Sequence, residues 1–394
     1  MIRSVLIVFI AATATAARPH LRRSPLLTAQ EPTTAAAEAV HRMVVRDRGG
    51  YTIATRFAAA EEAAVTAPRP GDPWWEGVPS ESDRSAGLGR YVAACAAWFV
   101  SFAAWLGIAT YTNRLRWLAS VDDFCASPNA PPVVLLGFRL CALALVLAVK
   151  LKVWLAPATL YQYETLERAP VRLRIRGLWR SQGLTSWSWL LIGAYFAVAA
   201  ALQGGAMLRG GGGGGGVPTV WANIARVLLG CAWAFSLMVT TVVTFVLIPS
   251  KAKKGLDLSM FFSTEALLMH NANVLLMAVE LLNNGVALDF HHTPFGIAFG
   301  VVYVLWHHLY RYRRTHTLLY FFLSWQSPHA LKVLAALVAA FAVFFGLGVL
   351  LTEAVRPTAI GAPLTLLLVA SIMRLRPPKE RRLGADGNPV QMLA

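Results

Sequence analysis

The sequence predicts an all-α fold, a polytopic membrane helix bundle, and three observations carry that prediction. Of 394 residues, 56% are apolar and only 14% are charged, whereas a soluble globular chain carries about a quarter charged residues. Mean hydropathy is correspondingly positive, at +0.53. The apolar residues fall in runs close to the ~20 needed to cross hydrocarbon, and the charges sit between those runs, as they must if the runs are in lipid.

Taken in order, Met1–Ala17 has one arginine, a short apolar stretch and small residues at its end, the layout of a secretory signal peptide. Residues 18–90 are rich in Ala, Pro, Thr and Arg and show no sustained apolar face, so they read as a disordered or targeting segment. Together the two segments also fit a two-part plastid presequence, although Glu31, Glu38, Glu61 and Glu62 are unusual in a transit peptide. The bundle then occupies 91–373, with apolar segments at Tyr91–Thr112, Val133–Leu155, Leu184–Leu208, Val220–Ile248, Met260–Asn283, Phe295–Tyr310, Ala330–Val355 and Ala359–Met373. The last of these is short for a crossing, and the sixth needs its polar flanks. Gly210–Gly216 reads as a flexible linker, since no Lys-Ser/Thr follows it and no strand precedes it. Residues 374–394 form a basic tail.

A net charge of +16 raises the question of nucleic acid, but the basic residues are scattered through short loops with no recognition motif. They follow the positive-inside rule instead. Arg168, Arg172, Arg174, Arg176 and Arg180, then Lys251, Lys253 and Lys254, then Arg311, Arg313 and Arg314 fall on one face with Arg84, Arg90 and the tail. That puts both termini on the cytoplasm-like side; Arg114, Arg116 and Arg356 are exceptions. A cleaved signal peptide would place the new N-terminus on the other side, a conflict that a plastid route relieves. The expected location is an endomembrane or the plasma membrane, with a plastid membrane as the alternative, and membrane lipids are the expected partners. The four cysteines follow no zinc or disulfide spacing.

Ionisable and polar residues inside the apolar runs are the candidates for chemistry. Arg139, Arg226 and Glu280 lie toward the low-charge face, where a carboxylate and a guanidinium at similar depth either pair or line a polar cavity. His270, Asn273, Met277, Glu280 and Asn284 follow at helical steps and make one polar face on an otherwise apolar helix. His270 there is either an interhelical hydrogen-bond partner or a base. Thr185 and Ser188, one turn apart beside Trp187 and Trp189, either bond a carbonyl one turn back or offer a hydroxyl to chemistry. The doublets His291-His292 and His307-His308 lack the further His a di-iron box needs, so no metal and no cofactor are expected.

At LTSWSWLL, Leu184–Leu191, and LLMHNANVLLMAVELLNN, Leu267–Asn284, the chain resembles the androgen-induced-protein-like membrane family, with weaker support from Gly137–Arg139, Tyr303 and Phe322–Trp325. That family includes hydrolases of fatty acid esters of hydroxy fatty acids, and rolling stone proteins share its layout. The resemblance covers about 133–355 and implies a six-helix core, with one additional helix at each end. It also implies a Thr nucleophile and a His, which fall on Thr185 and His270. A hydroxyl is a weak nucleophile without a base, so the two must meet in one cavity, with Ser188, Asn273, Glu280 and Arg139 as further cavity-lining residues and Asn273 or Ser188 as oxyanion donors. The expected function is thus an intramembrane threonine hydrolase of lipid esters. The alternative is a non-enzymatic transporter or a fusion or scaffold protein with a polar intramembrane cavity.

Overall fold

The computed structural model describes residues 87–112, 119–127, 129–157, 159–164, 170–209, 219–253, 258–327 and 329–377. All belong to one compact unit, Val65–Ala394. The signal-peptide-like segment, the targeting segment through residue 86, Arg114 and Arg116, the glycine run and the tail beyond residue 377 lie outside the described residues.

Each of the eight apolar segments forms a helix: α1 (Leu88–Tyr111), α2 (Pro132–Leu155), α3 (Leu184–Leu208), α4 (Val220–Ala252), α5 (Thr264–Asn283), α6 (Thr293–Trp306), α7 (Ala330–Val355) and α8 (Gly361–Ile372). Six of them, α1 to α5 and α7, are long and apolar enough to cross a membrane. The chain is therefore a multi-pass integral membrane protein. Starts follow local chemistry: Pro132 occupies the first turn of α2, while Thr219 and Ser263 accept the backbone N–H of Ala222 and Ala266 at the heads of α4 and α5.

The central helix is α4. Of its apolar window 72% is buried, against 11% for the peripheral α1, and it packs on α3, α5, α6 and α7. Lipid supplies no hydrophobic drive between helices, so close packing must hold them. The α4–α7 seam shows how: a Cβ on Gly230 would meet Phe345 Cζ at 2.6 Å, and one on Gly348 would meet Trp233 Cδ1 at 2.5 Å. Each ring fills the place of the side chain its partner lacks.

Two features differ from the sequence reading. The arginine-rich connection between α2 and α3, read as a loop, contains an antiparallel hairpin of β1 (Thr159–Glu164) and β2 (Pro170–Ile175), with Tyr161 opposite Leu173 and Tyr163 opposite Val171. Alternation of Tyr, Leu, Val and Ile with polar residues suits a half-buried ribbon, and Leu173 and Ile175 are buried. The last segment is a helix of 12 residues, about 18 Å long at 1.5 Å per residue, against ~30 Å of hydrocarbon. It runs beside α5 from the level of Gly285, where Arg356 sits, to that of Asn271, which exchanges two hydrogen bonds with the Arg374 backbone at 2.9 and 3.2 Å.

Arg356, an exception to the charge bias, is committed internally. Its guanidinium donates to the carbonyl of Leu281 in the last turn of α5 and to those of Asn284, Gly285 and Val286 just beyond it, and so caps the C-terminal end of that helix. Arg226 likewise donates to the Ala287 carbonyl at 2.7 Å.

Candidate functional site

At the basic end of the bundle, α2, α3, α4, α5, the hairpin and the loop after α6 enclose a cavity of about 710 Å³. Its lining is amphipathic. Lys152, Arg180, Lys251 and Glu265 bring charge, whereas Leu247, Phe261, Met269 and Leu318 bring apolar surface. Lys152, 65% exposed and ion-paired to Glu265 at 2.5 Å, marks the open end. Arg180 holds the hairpin against this space by donating to the Tyr161 hydroxyl at 3.1 Å, and Gln182 does the same to Tyr163 at 3.3 Å. Thr185 and His270 both line the cavity.

Thr185 is the second residue of α3, a helix whose N-cap, Gly183, offers no side chain to the first turn. A residue 136 positions away does so instead: the Tyr320 phenol oxygen accepts the Leu184 N–H at 3.1 Å, and it also bonds the backbone and side chain of Thr185. Gly183 makes room for this, since a Cβ there would stand 3.4 Å from that oxygen. Burial pushes the Tyr320 phenol up, beyond what its hydrogen bonds to Thr185, Leu184 and Tyr303 offset. It is a neutral hydroxyl at neutral pH. Tyr303 donates in turn to the Gln182 carbonyl at 3.0 Å, so the turn entering α3 is fixed from α6.

His270 sits in a five-residue π-turn, Leu268–Ala272, inside α5. Wide turns of this kind displace a backbone carbonyl and often mark functional positions. Its neighbours are pinned on both sides: Asn271 to Arg374, and Asn273 to Thr240 Oγ1 at 3.2 Å and the Ser236 carbonyl at 3.4 Å. The His270 carbonyl accepts from Thr240 Oγ1 at 2.6 Å, while its Nδ1 is buried and makes no hydrogen bond.

The π-turn also changes the polar face expected of this helix. Asn273, Met277, Glu280 and Asn284 remain together, fully buried against neighbouring helices. His270, within the wide turn itself, lines the cavity instead. Of the other residues expected there, Arg139 and Glu280 form a buried network at the low-charge end, built on one carboxylate oxygen of Glu280. Arg139 reaches Glu280 Oε1 through Nε at 3.0 Å and Nη2 at 2.6 Å, and the Phe124 carbonyl and Gln203 Oε1 through Nη1 at 2.7 and 2.8 Å. Glu280 Oε1 also accepts from Tyr195 at 2.5 Å and Asn284 at 2.9 Å. Of the two sequence readings of this pair, pairing is what the geometry displays. Ser188 is buried with its hydroxyl unpartnered, and neither it nor Asn273, Glu280 or Arg139 lines this cavity.

Residues that sequence reasoning did not single out do line it: Ser186, Gln182, Tyr161, Tyr163 and Tyr320. For the two hairpin tyrosines, an alternating pattern across 159–164 was the available signal. A second cavity, narrower at about 80 Å³ and almost wholly apolar, lies between α4, α6, α7 and the start of α3. The two share Thr185, Leu247 and Tyr320 in their walls. Comparison of the chain with protein-family models, curated proteins and solved structures finds no match.

Proposed function

We propose that this multi-pass membrane protein is an intramembrane hydrolase of lipid esters, related to the androgen-induced-protein-like hydrolases, with Thr185 as nucleophile and His270 as general base. What supports the reading is that two side chains from different helices, α3 and α5, line one amphipathic cavity. A hydroxyl nucleophile and its base must share one such space in order to meet.

The chemistry runs in two halves. His270 takes the proton of the Thr185 hydroxyl as Oγ bonds to the ester carbonyl carbon. The tetrahedral adduct collapses with cleavage of the ester C–O bond, and the departing alkoxide receives that proton from His270. Water then attacks the acyl-threonine, giving its proton to His270. The acid leaves, and Thr185 Oγ regains the proton. Tyr320, bonded to Thr185, orients the hydroxyl. The membrane lipids are the source of substrate, and the cationic residues at the cavity suit their anionic headgroups. An endomembrane or the plasma membrane is the proposed location.

The test is labelling of the purified protein in detergent by a fluorophosphonate probe, followed by peptide mass spectrometry. The expected adduct is on Thr185, retained in Thr185→Ser and absent in Thr185→Ala and His270→Ala. Labelling elsewhere, or ester hydrolysis by Thr185→Ala at the parent rate, refutes the assignment and leaves the transporter or scaffold reading.

A further inference from the structure

We infer that the Ser186 hydroxyl is the oxyanion donor of this site, the group that steadies the negative charge formed on the ester carbonyl when Thr185 attacks. This rests on the hydrolase reading above and supplies a catalytic residue that reading lacks, because Asn273 and Ser188, the donors expected from the sequence, do not line the cavity. The chemistry sets the need. As Thr185 Oγ bonds to the carbonyl carbon, the C=O π pair moves onto the oxygen, and it returns when the ester C–O bond breaks. A fixed donor aimed at that oxygen is among the largest contributions a protein makes to such a step.

The other donors near Thr185 are already engaged. At the head of α3 the Leu184 N–H goes to the Tyr320 phenol oxygen at 3.1 Å, and the N–H groups of Ser186 and Trp187 both go to the Gly183 carbonyl, at 2.9 and 3.2 Å. The Thr185 backbone bonds Tyr320 as well. Among the side chains before Thr185, Gln182 Nε2 donates to the Tyr163 hydroxyl at 3.3 Å, while Arg180 donates to the Pro157 carbonyl at 3.3 Å and the Tyr161 hydroxyl at 3.1 Å. Ser186 differs. It lines the cavity although the residue is only 5% exposed, and its hydroxyl has no hydrogen-bond partner among the described residues. A serine within a helix ordinarily returns its proton to the carbonyl one turn back. For Ser186 that carbonyl is Gln182, which already accepts from the Tyr303 hydroxyl at 3.0 Å. The serine proton is thus left to the cavity. Consecutive Cα atoms stand about 3.8 Å apart, and Thr185 and Ser186 line the same space, so an oxygen on the carbon bonded to Thr185 comes within a hydroxyl's reach. Burial keeps bulk water from competing for that hydrogen bond.

The experiment uses the full chain in nanodiscs. It measures kcat and KM for 4-methylumbelliferyl oleate, and inhibition by an alkyl trifluoromethyl ketone, whose adduct with Thr185 carries the same oxyanion. Ser186→Ala is expected to lower kcat by about a hundredfold or more, as removal of one oxyanion donor does, with KM changed by less than about threefold. Ketone inhibition should weaken by the same factor as kcat/KM. Ser186→Thr, which keeps a hydroxyl, should recover at least about tenfold of the loss. A role in packing alone would lower the melting temperature and leave the ratio of ketone to ester affinity as it was. With Thr185→Ala inactive, three results overturn the inference and spare the hydrolase reading: a Ser186→Ala kcat within about threefold of the parent, a loss of kcat with ketone inhibition unweakened, or Ser186→Thr as slow as Ser186→Ala. If Thr185→Ala cleaves the ester at the parent rate, if no ester is cleaved, or if the fluorophosphonate adduct sits on Ser186 itself, the hydrolase reading falls and takes the inference with it.

Discussion

Removing the charge of Glu280 while keeping its shape, as in Glu280→Gln, isolates what the buried ion pair contributes. Both side chains of the pair are 0% exposed, and the donors converging on Glu280 Oε1 are Arg139 Nε and Nη2, the Tyr195 hydroxyl and Asn284 Nδ2. Two magnitudes compete. If these contacts acted as ordinary interhelical hydrogen bonds, each would contribute about 0.6 kcal/mol, and Tyr195→Phe, which deletes one, gauges that scale. An uncompensated buried charge costs about 3–5 kcal/mol, and Glu280→Gln leaves Arg139 in that state. At an unfolding entropy of about 2.1 cal/mol/K per residue, a chain of 394 residues shifts by about 1.2 °C per kcal/mol, so Glu280→Gln should lower the detergent melting temperature by roughly 4–6 °C. Tyr195→Phe should lower it by only about 1 °C. The double variant Arg139→Met/Glu280→Met, with no charge left to strand, should recover most of the loss. Heating followed by size-exclusion chromatography of the residual monodisperse peak reads all three. A Glu280→Gln shift no larger than that of Tyr195→Phe, or a double variant as unstable as the single, would refute the argument that stranded charge dominates.

Three further outcomes are expected. Gly230→Ala puts a methyl 2.6 Å from Phe345 Cζ; overpacking of that kind costs about 1–3 kcal/mol, visible as a lower melting temperature that Phe345→Leu in the same chain partly restores. Tyr320→Phe removes the acceptor for the Leu184 N–H; it should cost about 1 kcal/mol, as loss of a helix cap does, and slow probe labelling at Thr185, whereas unchanged labelling would exclude an orienting role. In the loop before α6, burial raises the Asp289 carboxyl, but hydrogen bonds from the His291 backbone and ring together with the His292 and Arg226 charges outweigh it, leaving it below its ordinary 3.8. A depressed carboxyl stabilises the fold above 3.8, and that contribution disappears as pH falls through the folded value below it. Asp289→Asn should flatten this part of an acid-unfolding curve, measured by tryptophan fluorescence.

The helices were legible because lipid makes the simplest demand on a sequence, a long apolar run. Composition was a poorer guide to where a run stops crossing. Ala359–Met373 is as apolar as its neighbours, yet α8 begins only after Arg356 has capped α5 and is too short to reach the other side. The hairpin was missed because its arginines were read as loop charge, although its strands alternate. Depth alone suggested a guanidinium partner for Glu280 but did not choose between Arg139 and Arg226; Arg139 takes that place and Arg226 bonds the Ala287 carbonyl. Periodicity, by contrast, misassigned the neighbours of His270: counting in steps of three and four assumes uniform winding, and the wide turn at Leu268–Ala272 breaks it. Tyr320 left no local signal, because it reaches the head of α3 from a loop 136 residues away.

Among the described residues, three other helices carry similar wide turns, Val243–Leu247 in α4, His307–Arg311 continuing α6 and Leu351–Val355 in α7. Those of α4, α5 and α6 fall at the basic end, where the bundle opens into its larger hollow. Each acts as one surplus residue in an otherwise regular coil. Excising a single residue from Leu268–Ala272 would rewind the coil and swing everything on one side of the cut through about 100°. The span would stay as greasy and nearly as long as before, with the imidazole turned away from the hollow. Arithmetic along the chain, and not chemical character, thus decides which neighbours that ring meets.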